Sequence, residues 1–382
     1  MAKYIYIVPL GFAQLGLIDK LKELGIEIVA LDDNEANPYK EQVSRLVSTE
    51  FNAIKKVESE FREQGKECCG ILGVISDFGI RKSHELSQLL GIKEIFSVKE
   101  NIWLLDKFQY LQYFNGQADT CLPSEFKEHP KGDFIIKPRT GSGSRDIKTI
   151  LQDFENEIQI KPDCDYLIQK KYFGKEYSVE GFINQGVVTI FAISIRKLKG
   201  FTATSISSIK TRSAVYKNLR LYLESKLSLI PAECTFPFHL EIIDDITAGY
   251  KIIDFSPRGG GFSLADFFVK NITGIDVNEA YAQYIANDTR LVFGKLMARL
   301  SIVLYVQFSP GIFKKISFNK AILSPKDRFV ELIKEGTRMN KPINDSHRIA
   351  YFTLSDDTDL LLKRKIKLLK ESIVVEIQKI TK

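Results

Sequence analysis

The sequence predicts an α/β protein of two or three domains, in which a small parallel sheet precedes a larger, mainly antiparallel one. Three observations predict this class. The first hundred residues alternate short apolar runs with segments of helical periodicity, which is typical of parallel strands joined by right-handed helical crossovers. Strand-like runs then dominate residues 166–255, as in antiparallel sheets. The chain of 382 residues is also longer than one average domain.

Composition limits the classes of protein to which the chain can belong. Hydrophobic residues make up 44% and charged residues 27%, values typical of globular proteins rather than of disordered chains or collagens. The net charge of +6 comes from basic residues spread along the chain, which argues against a nucleic-acid partner. No apolar run reaches the ~18 residues of a membrane span, and the N-terminus lacks the features of a signal peptide. We therefore expect a cytoplasmic protein without a membrane partner.

The first hundred residues predict a Rossmann-like domain, whose boundaries we place at 1–100. Gly25 and Gly91 follow two of its helices, at the position where glycine commonly ends a helix. A dinucleotide site would need three glycines in a G-x-G-x-x-G spacing after the first strand, but only Gly11 and Gly16 occur there, so we expect a simple turn. The predicted elements are strand Tyr4–Pro9, helix Gln14–Leu24, strand Ile26–Leu31, helix Ala53–Gln64, strand Gly70–Ile75 and helix Arg81–Leu90.

The rest of the chain predicts two further parts, residues 101–185 and 186–382, the second with a C-terminal subdomain from about residue 305. The tail from Ser309 mixes strands and helices, with turns at Gly311 and Gly336. The predicted strands are Asp133–Pro138, Ile147–Leu151, Tyr166–Lys170, Glu176–Ile183, Val187–Arg196, Phe238–Asp244 and Tyr250–Phe255. The predicted helices are Lys99–Asn115, one near Asp153–Ile160, and several within Leu264–Leu304.

The segment that follows the strand Asp133–Pro138 indicates a phosphate-binding element. Lys137 stands near the end of this apolar strand, where it would present a fixed positive charge. The next residues, Arg139–Arg145, are mostly small, and such a loop lets backbone N–H groups approach phosphate oxygens. The segment lacks the glycine pair and the Gly-Lys-Ser/Thr ending of a Walker A loop. On its own it fits a flexible turn equally well.

A pair of acids indicates a magnesium site. Glu241 and Asp254 lie on strands that are predicted to be antiparallel neighbours, about 5 Å apart. Two carboxylates that face each other need a cation between them, and Mg²⁺ prefers such oxygen ligands and shares them with phosphates. Arg258 lies an even number of residues beyond Asp254, on the same strand face, where it would stabilise charge on a transferring phosphoryl group. The alternative is a pair of surface acids on a solvated sheet face.

Taken in this order, the two segments resemble the ATP-grasp carboxylate–amine ligases. The resemblance covers nearly the whole chain and is to the branch related to carbamoyl-phosphate synthetase and biotin carboxylase, most of all to the L-amino-acid (dipeptide) ligases. It implies an N-terminal Rossmann-like domain, a central grasp domain and a C-terminal lid. It also implies ATP and two Mg²⁺ ions, with Mn²⁺ as an alternative ion, and small-molecule carboxylate and amine substrates. A homodimer is expected by analogy only.

The resemblance assigns roles to single residues. Lys107 and Lys137 match two phosphate-contacting lysines, and Thr140–Ser144 match a glycine-rich loop that closes over ATP. Leu167–Tyr172 resembles the hinge strand whose backbone pairs with adenine, and Glu176 resembles the acid that binds the ribose hydroxyls. The full set of expected nucleotide contacts is Lys107, Lys137, Thr140, Gly141, Ser142, Gly143, Ser144, Gln169, Lys170, Lys171, Tyr172 and Glu176.

The metal site is where the chain departs from the family's pattern. Glu241 and Asp254 match the two magnesium-binding acids, but the second is usually Glu and the residue two positions later is usually Asn. Here they are Asp254 and Ser256. Asp is one methylene shorter, and Ser256 offers a neutral oxygen but no amide, so we expect a weakened or displaced second magnesium site. Family members also often have Glu where Gln169 stands.

The candidate substrate contacts are less specific. Gly259 and Gly260 lie in a glycine run that would allow close backbone approach to a ligand. Lys210 and Arg212 end a polar segment and are candidate partners for a carboxylate, and His239 lies two residues before Glu241. For each of them a structural alternative is equally open: a simple turn, a solvated loop and a buried core histidine.

The resemblance implies that the protein forms an amide or peptide bond, on amino acids, through an acylphosphate, and releases ADP and phosphate. The expected catalytic residues are Lys137 and Arg258, where Arg258 matches the arginine beside the transferred phosphate. Three alternatives remain: a phosphotransferase that makes a stable phosphorylated product, an enzyme that uses bicarbonate or formate, and a non-catalytic ATP-binding module.

Overall fold

Eight α-helices lie within the residues that the structure describes. The computed structural model describes residues 1–73, 76–126, 132–141, 143–150, 165–287, 291, 293–294, 296–340, 342, 344 and 347–379. The α-helices in these ranges are α1 Leu15–Glu23, α2 Phe51–Glu63, α3 Asp77–Leu90, α4 Lys107–Asn115, α5 Ala214–Leu227, α6 Val269–Thr273, α7 Val277–Asn287 and α8 Asp359–Ser372. Within the described residues, no helix has the length and apolarity that a membrane crossing requires.

A small parallel sheet forms the N-terminal part. Its strands are β1 Lys3–Ile7, β2 Ile26–Leu31, β3 Arg45–Val47 and β4 Glu67–Leu72, paired in the order β3-β2-β1-β4. All of these pairs are parallel, and β1 and β2 are almost wholly buried because helices cover both faces of the sheet. The strand β3 was not predicted, because only two of its three residues are apolar and its neighbours are polar.

Four short strands form a second, antiparallel sheet. They are β5 Thr120–Cys121, β6 Phe134–Pro138, β7 Lys148–Ile150 and β8 Tyr166–Lys170, in the order β5-β8-β6-β7. Ile136, Ile150 and Ile168 pack on one of its faces. The helix predicted near Asp153–Ile160 lies outside the described residues, as does Ser142 of the glycine-rich loop.

An eight-stranded sheet forms the centre of the molecule, and neighbouring strands are antiparallel. Its order is β13-β12-β9-β10-β11-β14-β18-β16, and a separate small sheet has the order β17-β15-β19. The strands are β9 Gly174–Asn184, β10 Val187–Lys199, β11 Thr202–Ser208, β12 Thr235–Asp245, β13 Gly249–Ser256, β14 Leu300–Tyr305, β15 Gly311–Ser317, β16 Arg328–Glu331, β17 Arg338–Met339, β18 Ala350–Asp356 and β19 Val374–Gln378.

Three predicted elements differ from the structure. The expected helix Lys99–Asn115 is a 3₁₀ turn followed by α4, because Asp106 caps the helix by accepting a hydrogen bond from the Phe108 N–H. The expected polar loop before Lys210 is the strand β11, whose hydroxyl side chains are tolerated because β10 and β14 satisfy its backbone. The expected helical region Leu264–Leu304 ends in the strand β14, and it begins with a π-helical turn, Leu264–Phe268.

The N-terminal sheet and the large sheet share one continuous hydrophobic core. Phe96, which follows β4, packs its ring 5.3 Å from that of Phe182 on β9 and 4.9 Å from that of Tyr281 on α7. Ser97 pairs with Thr235 through two backbone hydrogen bonds. These contacts hold the segment that follows α3 against the large sheet, so residues of the N-terminal part can contribute to sites on that sheet.

The close approach of β9 and β12 gives a first test of this architecture. A Cβ added to Gly174 would lie 1.8 Å from the carbonyl oxygen of Asp244. We expect Gly174→Ala to lower the free energy of unfolding by about 1–3 kcal/mol, since the strands would have to separate. A urea titration measures this. The control is Gly261→Ala, where nothing lies within 4 Å of the added Cβ. Equal stabilities for the two variants would contradict the register of β9 and β12.

Candidate functional site

A cavity of about 430 Å³ lies between the small antiparallel sheet and the large sheet. We call it the central cavity. Side chains from β6, β8, β9, β10, β12 and β13 line it, together with the loop that follows β6. The predicted site residues that line it are Lys107, Lys137, Thr140, Gly141, Gly143, Ser144, Gln169, Lys170, Tyr172, Glu176, Glu241 and Asp254.

Two lysines bring positive charge to one end of the central cavity. Lys107 is the first residue of α4, and its Nζ donates to the carbonyl oxygen of Gly141 at 2.6 Å and lies 3.6 Å from Asp254 Oδ1. Lys137 donates from Nζ to the carbonyl oxygen of Ile253 at 2.7 Å. Burial lowers the pKa of Lys137 to about 8, although the nearby carboxylate of Asp254 opposes the shift. The ammonium of Lys137 is therefore costly to keep charged until an anion approaches.

The two candidate metal acids face each other as the sequence predicted. Glu241 on β12 and Asp254 on β13 are direct cross-strand partners. Asp254 Oδ1 accepts a hydrogen bond from the Tyr110 hydroxyl at 2.5 Å. Glu241 forms an ion pair with Arg196 of β10, which also lies 3.2 Å from Glu176 Oε2. Each acid thus has its own compensating donor, as buried carboxylates require.

The pKa values of Glu241 and Glu176, the two acids beside Arg196, are shifted in opposite directions. Burial would raise the pKa of Glu241, but the cations Arg196 and His239 outweigh it and hold that pKa well below its usual range. For Glu176 burial prevails and raises the pKa to about 7, with the charge of Arg196 acting against it. Sequence reasoning missed Arg196. The pattern that indicated Lys137, a basic residue near the end of an apolar strand, was also available for Arg196.

The donor set fits a magnesium ion that is shared with phosphate. Within the described residues, no group of three or more His, Cys, Asp or Glu side chains could hold a metal by itself. Two opposed carboxylates beside two lysines supply part of an oxygen shell, which is how Mg²⁺ is commonly held when phosphates complete it. Ser256 is buried and does not line the central cavity; its cross-strand partner is His239.

The strand β8 brings an unused hydrogen-bond donor to the wall of the central cavity. Gln169 on β8 is 2% exposed, and its Nε2 has no hydrogen-bond partner among the described residues. A buried polar atom without a partner is uncommon and points to a missing ligand or water. Tyr166, Lys170 and Tyr172 lie beside it. Lys171 does not line this cavity, and its Nζ lies 5.1 Å from the centroid of the Phe173 ring.

Three other predicted residues lie away from the central cavity. Arg258 is buried where the large sheet meets the N-terminal part, and its Nε donates to Asp77 Oδ1 at 3.1 Å. Lys210 and Arg212 are exposed beyond β11 and line none of the described cavities. The prediction for this pair depended on a substrate loop, and the structure has a sheet strand there instead.

A second cavity, of about 350 Å³, lies where the glycine run meets the N-terminal part. Gly259 and Gly260 line it, as does Gln14, which is buried with an unpartnered Nε2 in the described structure. Asp266 of the π-helical turn and Arg328 of β16 add a carboxylate and a guanidinium 4.0 Å apart. Burial raises the pKa of Asp266. Apolar side chains form the remaining wall, among them Leu15, Val277 and Tyr281.

A buried chain of charged side chains joins the two cavities. His239 lies between two acids: its Nδ1 is 2.5 Å from Glu180 Oε1, and its Nε2 is 3.5 Å from Glu241 Oε1. Burial alone would lower the pKa of His239, but the charge of Glu180 and the contact with Glu241 raise it to about 10. Sequence reasoning missed Glu180. The alternation of Glu176, Ser178 and Glu180 on one face of β9 was the available signal.

Comparison with known proteins identifies the architecture. No model of a known protein family matches the chain, and no curated protein matches its sequence. Among solved structures, L-amino acid ligase from Bacillus licheniformis matches with a TM-score of 0.77 at 13% identity, over 99% of both chains. N5-carboxyaminoimidazole ribonucleotide synthetase from Thermotoga maritima matches with a TM-score of 0.71 at 15% identity, over 99% of this chain and 100% of that one.

A third match carries ligands. The biotin carboxylase domain of Hydrogenobacter thermophilus 2-oxoglutarate carboxylase, in complex with MgADP, ADP and bicarbonate, has a TM-score of 0.69 at 13% identity, over 98% of this chain and 90% of that one. The matches confirm the predicted architecture: the chain has the ATP-grasp fold. At these identities the shared property is the fold.

The ion pairs of Arg196 give a test that needs no ligand. In Arg196→Met, Glu241 and Glu176 lose the cation between them, and we expect the free energy of unfolding to fall by about 3–5 kcal/mol. The control is Arg220→Met, since Arg220 pairs with Glu224 on the exposed surface of α5 and such a pair contributes about 0.5 kcal/mol or less. Urea titrations at neutral pH measure both. A loss for Arg196→Met no larger than that for Arg220→Met would contradict the buried charge network.

Proposed function

We propose that the protein is an ATP-dependent carboxylate–amine ligase that joins amino acids through an acylphosphate. One observation carries the proposal: two lysines and two opposed carboxylates, from four separate elements, converge at one end of a cavity in an ATP-grasp fold. The similarity to an L-amino acid ligase supports the choice of substrates. The MgADP in the biotin carboxylase neighbour supports a magnesium nucleotide as the co-substrate.

The two ends of the central cavity suit the two ends of ATP. Lys107 and Lys137 would neutralise phosphate charge, and Gly141 and Gly143 would present backbone N–H groups to phosphate oxygens. At the other end, Gln169 offers an unused donor beside the apolar and aromatic side chains that a base needs. In this proposal Glu176 lies between the phosphates and the base, where it accepts hydrogen bonds from the ribose hydroxyls. Its side chain is 21% exposed and lines the cavity, which suits that role.

Glu241 and Asp254 would hold magnesium in this proposal. When bound, Mg²⁺ neutralises phosphate charge and orients the phosphates for in-line transfer. Arg196 and the Tyr110 hydroxyl now compensate the two acids. A metal would therefore compete with existing partners, and the shorter Asp254 would bring its ligand oxygen closer to β13 than a glutamate would.

The chain's own residues favour phosphoryl transfer to a carboxylate. A carboxylate oxygen attacks the γ-phosphorus, the bond to the β–γ bridging oxygen breaks, and ADP leaves with that oxygen. Lys137 would balance the negative charge that develops, and Arg258 would add to it only on leaving its pair with Asp77 outside the central cavity. An amine then attacks the acyl carbon and gives up a proton. Phosphate leaves with the oxygen that came from the carboxylate.

Water has to be kept from the acylphosphate, since it hydrolyses readily. Thr140, Gly141, Gly143 and Ser144 of the glycine-rich loop border the central cavity. The hydroxyl of Ser144 donates to the carbonyl oxygen of Phe201 across the cavity mouth at 3.3 Å. This contact links the loop to the turn between β10 and β11. We propose that the loop acts as the lid that excludes water.

The second cavity is the proposed place for the amino-acid substrates. An amino acid carries one carboxylate and one ammonium, and Arg328 and Asp266 offer one partner for each. Gln14 adds a free donor, and the apolar wall suits a hydrophobic side chain. The segment from Asp254 to Gly259 connects the two cavities and contains Arg258. A substrate carboxylate at the glycine run would therefore meet the phosphate end of the central cavity.

Turnover tests the proposed function. We expect ADP and free phosphate to rise together with Mg²⁺-ATP only when certain amino acids are present. Lys137→Met should lower this rate by about 10²–10³-fold, since a charge that stabilises the transferring group is removed. Lys217→Met, an exposed lysine on α5, is the matched control and should keep the wild-type rate. ADP without free phosphate would indicate a phosphotransferase, and dependence on bicarbonate would indicate a carboxylase-like reaction.

The pKa of Lys137 predicts a pH dependence of nucleotide binding. Because burial lowers this pKa to about 8, the side chain is charged below that pH and neutral above it. A bound phosphate favours the charged form, so the affinity for a non-hydrolysable ATP analogue should fall above pH 8 by up to about tenfold per pH unit. Calorimetry between pH 7.5 and 9.5 measures this. Lys137→Met should bind weakly with no such slope, and a slope equal to that of the wild type would contradict the assignment.

A further inference from the structure

Glu180 lies between the two cavities and contacts neither solvent nor the proposed phosphate site. Its residue is 3% exposed, on β9. One carboxylate oxygen contacts His239 Nδ1 at 2.5 Å, and the other accepts a hydrogen bond from the Gly260 backbone N–H at 2.9 Å. The far nitrogen of His239 reaches Glu241 at 3.5 Å. A continuous chain therefore runs from a proposed metal acid to the glycine run of the second cavity.

The glycine run leaves no space for a side chain at this contact. A Cβ added to Gly260 would lie 2.4 Å from Glu180 Oε1 and 2.8 Å from His239 Nδ1. These distances are below any normal contact between such atoms, so the backbone of Gly260 is held directly against the pair. The absence of a side chain at this position is thus explained by the close approach of Glu180.

The other end of the same segment is also fixed. Phe262 and Ser263 have φ of 53° and 59°, a left-handed conformation that is unfavourable for residues other than glycine. Such a conformation persists only where neighbouring contacts hold it. Ser263 shares a 2.8 Å hydrogen bond with the Tyr351 hydroxyl, and the Phe262 ring lies 4.8 Å from the guanidinium carbon of Arg348. The glycine run is therefore held from both sides.

We propose that Glu180 and His239 are positioning residues that fix the glycine run at a set distance from Glu241, so that a substrate on this run is presented to the phosphate. This inference rests on the proposed ligase function. Neither residue touches the reacting atoms in the proposed scheme. Their effect would come from holding the Gly260 N–H and the carboxylate of Glu241 in one rigid unit.

Steady-state kinetics distinguish positioning from a general structural role. In Glu180→Gln we expect KM for the amino acid to rise at least tenfold and kcat to fall, while KM for ATP stays within twofold. The control is His84→Gln, because His84 contacts Glu94 at 3.1 Å in the N-terminal part and connects no cavities. The His84→Gln variant should keep the wild-type kcat and the wild-type KM values for the amino acid and for ATP. Equal changes in both KM values, or no change in either, would overturn the proposal.

Hydrogen exchange supplies a readout that does not depend on turnover. The Gly260 amide donates to Glu180, so in Glu180→Ala we expect its exchange to be at least tenfold faster, with unchanged affinity for a non-hydrolysable ATP analogue. Glu180→Leu, which also has no acceptor for the Gly260 N–H, replaces this variant should alanine prevent folding. Unchanged exchange at Gly260 would overturn the proposal. If the wild-type protein shows no amino-acid-dependent turnover, the proposed function is wrong. The exchange measurement then tests only whether Glu180 holds the glycine run.

Discussion

The opposition of Glu241 and Asp254 across β12 and β13 is the constraint on which the rest of the site depends. Two half-buried carboxylates in one cross-strand pair repel each other unless cations or donors surround them. Arg196 on β10, His239 on β12, and Lys107 and the Tyr110 hydroxyl on α4 meet this need. The large sheet, α4 and the buried pair of Glu180 and His239 are therefore organised around one concentration of negative charge.

Local patterns allowed much of the fold and one half of the site to be predicted. Lys137 at a strand end and the acids on adjacent strands are visible because each depends on a short stretch of chain and on strand periodicity. The confirmed ATP-grasp architecture follows from the order of these segments. The strands β3 and β11 were missed because their sequences are short or polar, and sheet neighbours rather than propensity determine them.

The site residues that the sequence did not predict were missed for a different reason. Arg196 and Gln14 line the two cavities, and Glu180 lies between them, because the sheet order places β10 next to β9 and β9 next to β12, and because the N-terminal part packs on the large sheet. The strand-end position of Arg196 and the alternation that contains Glu180 are visible in the sequence, but the strand pairing that brings these side chains together is not. Lys210 and Arg212 are the opposite case. Their charge made them candidate partners for a substrate carboxylate, but both residues lie on an exposed turn. The proposed roles of Asp254 and Ser256 in binding metal stay predictions.

The central claim is that a substrate carboxylate is activated by phosphoryl transfer from ATP. The most direct test uses an amino acid labelled with ¹⁸O in both carboxylate oxygens and follows the label into the released phosphate by mass spectrometry. An acylphosphate predicts one ¹⁸O atom in each phosphate that accompanies amide formation, because the oxygen that attacks phosphorus leaves with it. Unlabelled phosphate released together with amide product would contradict the account.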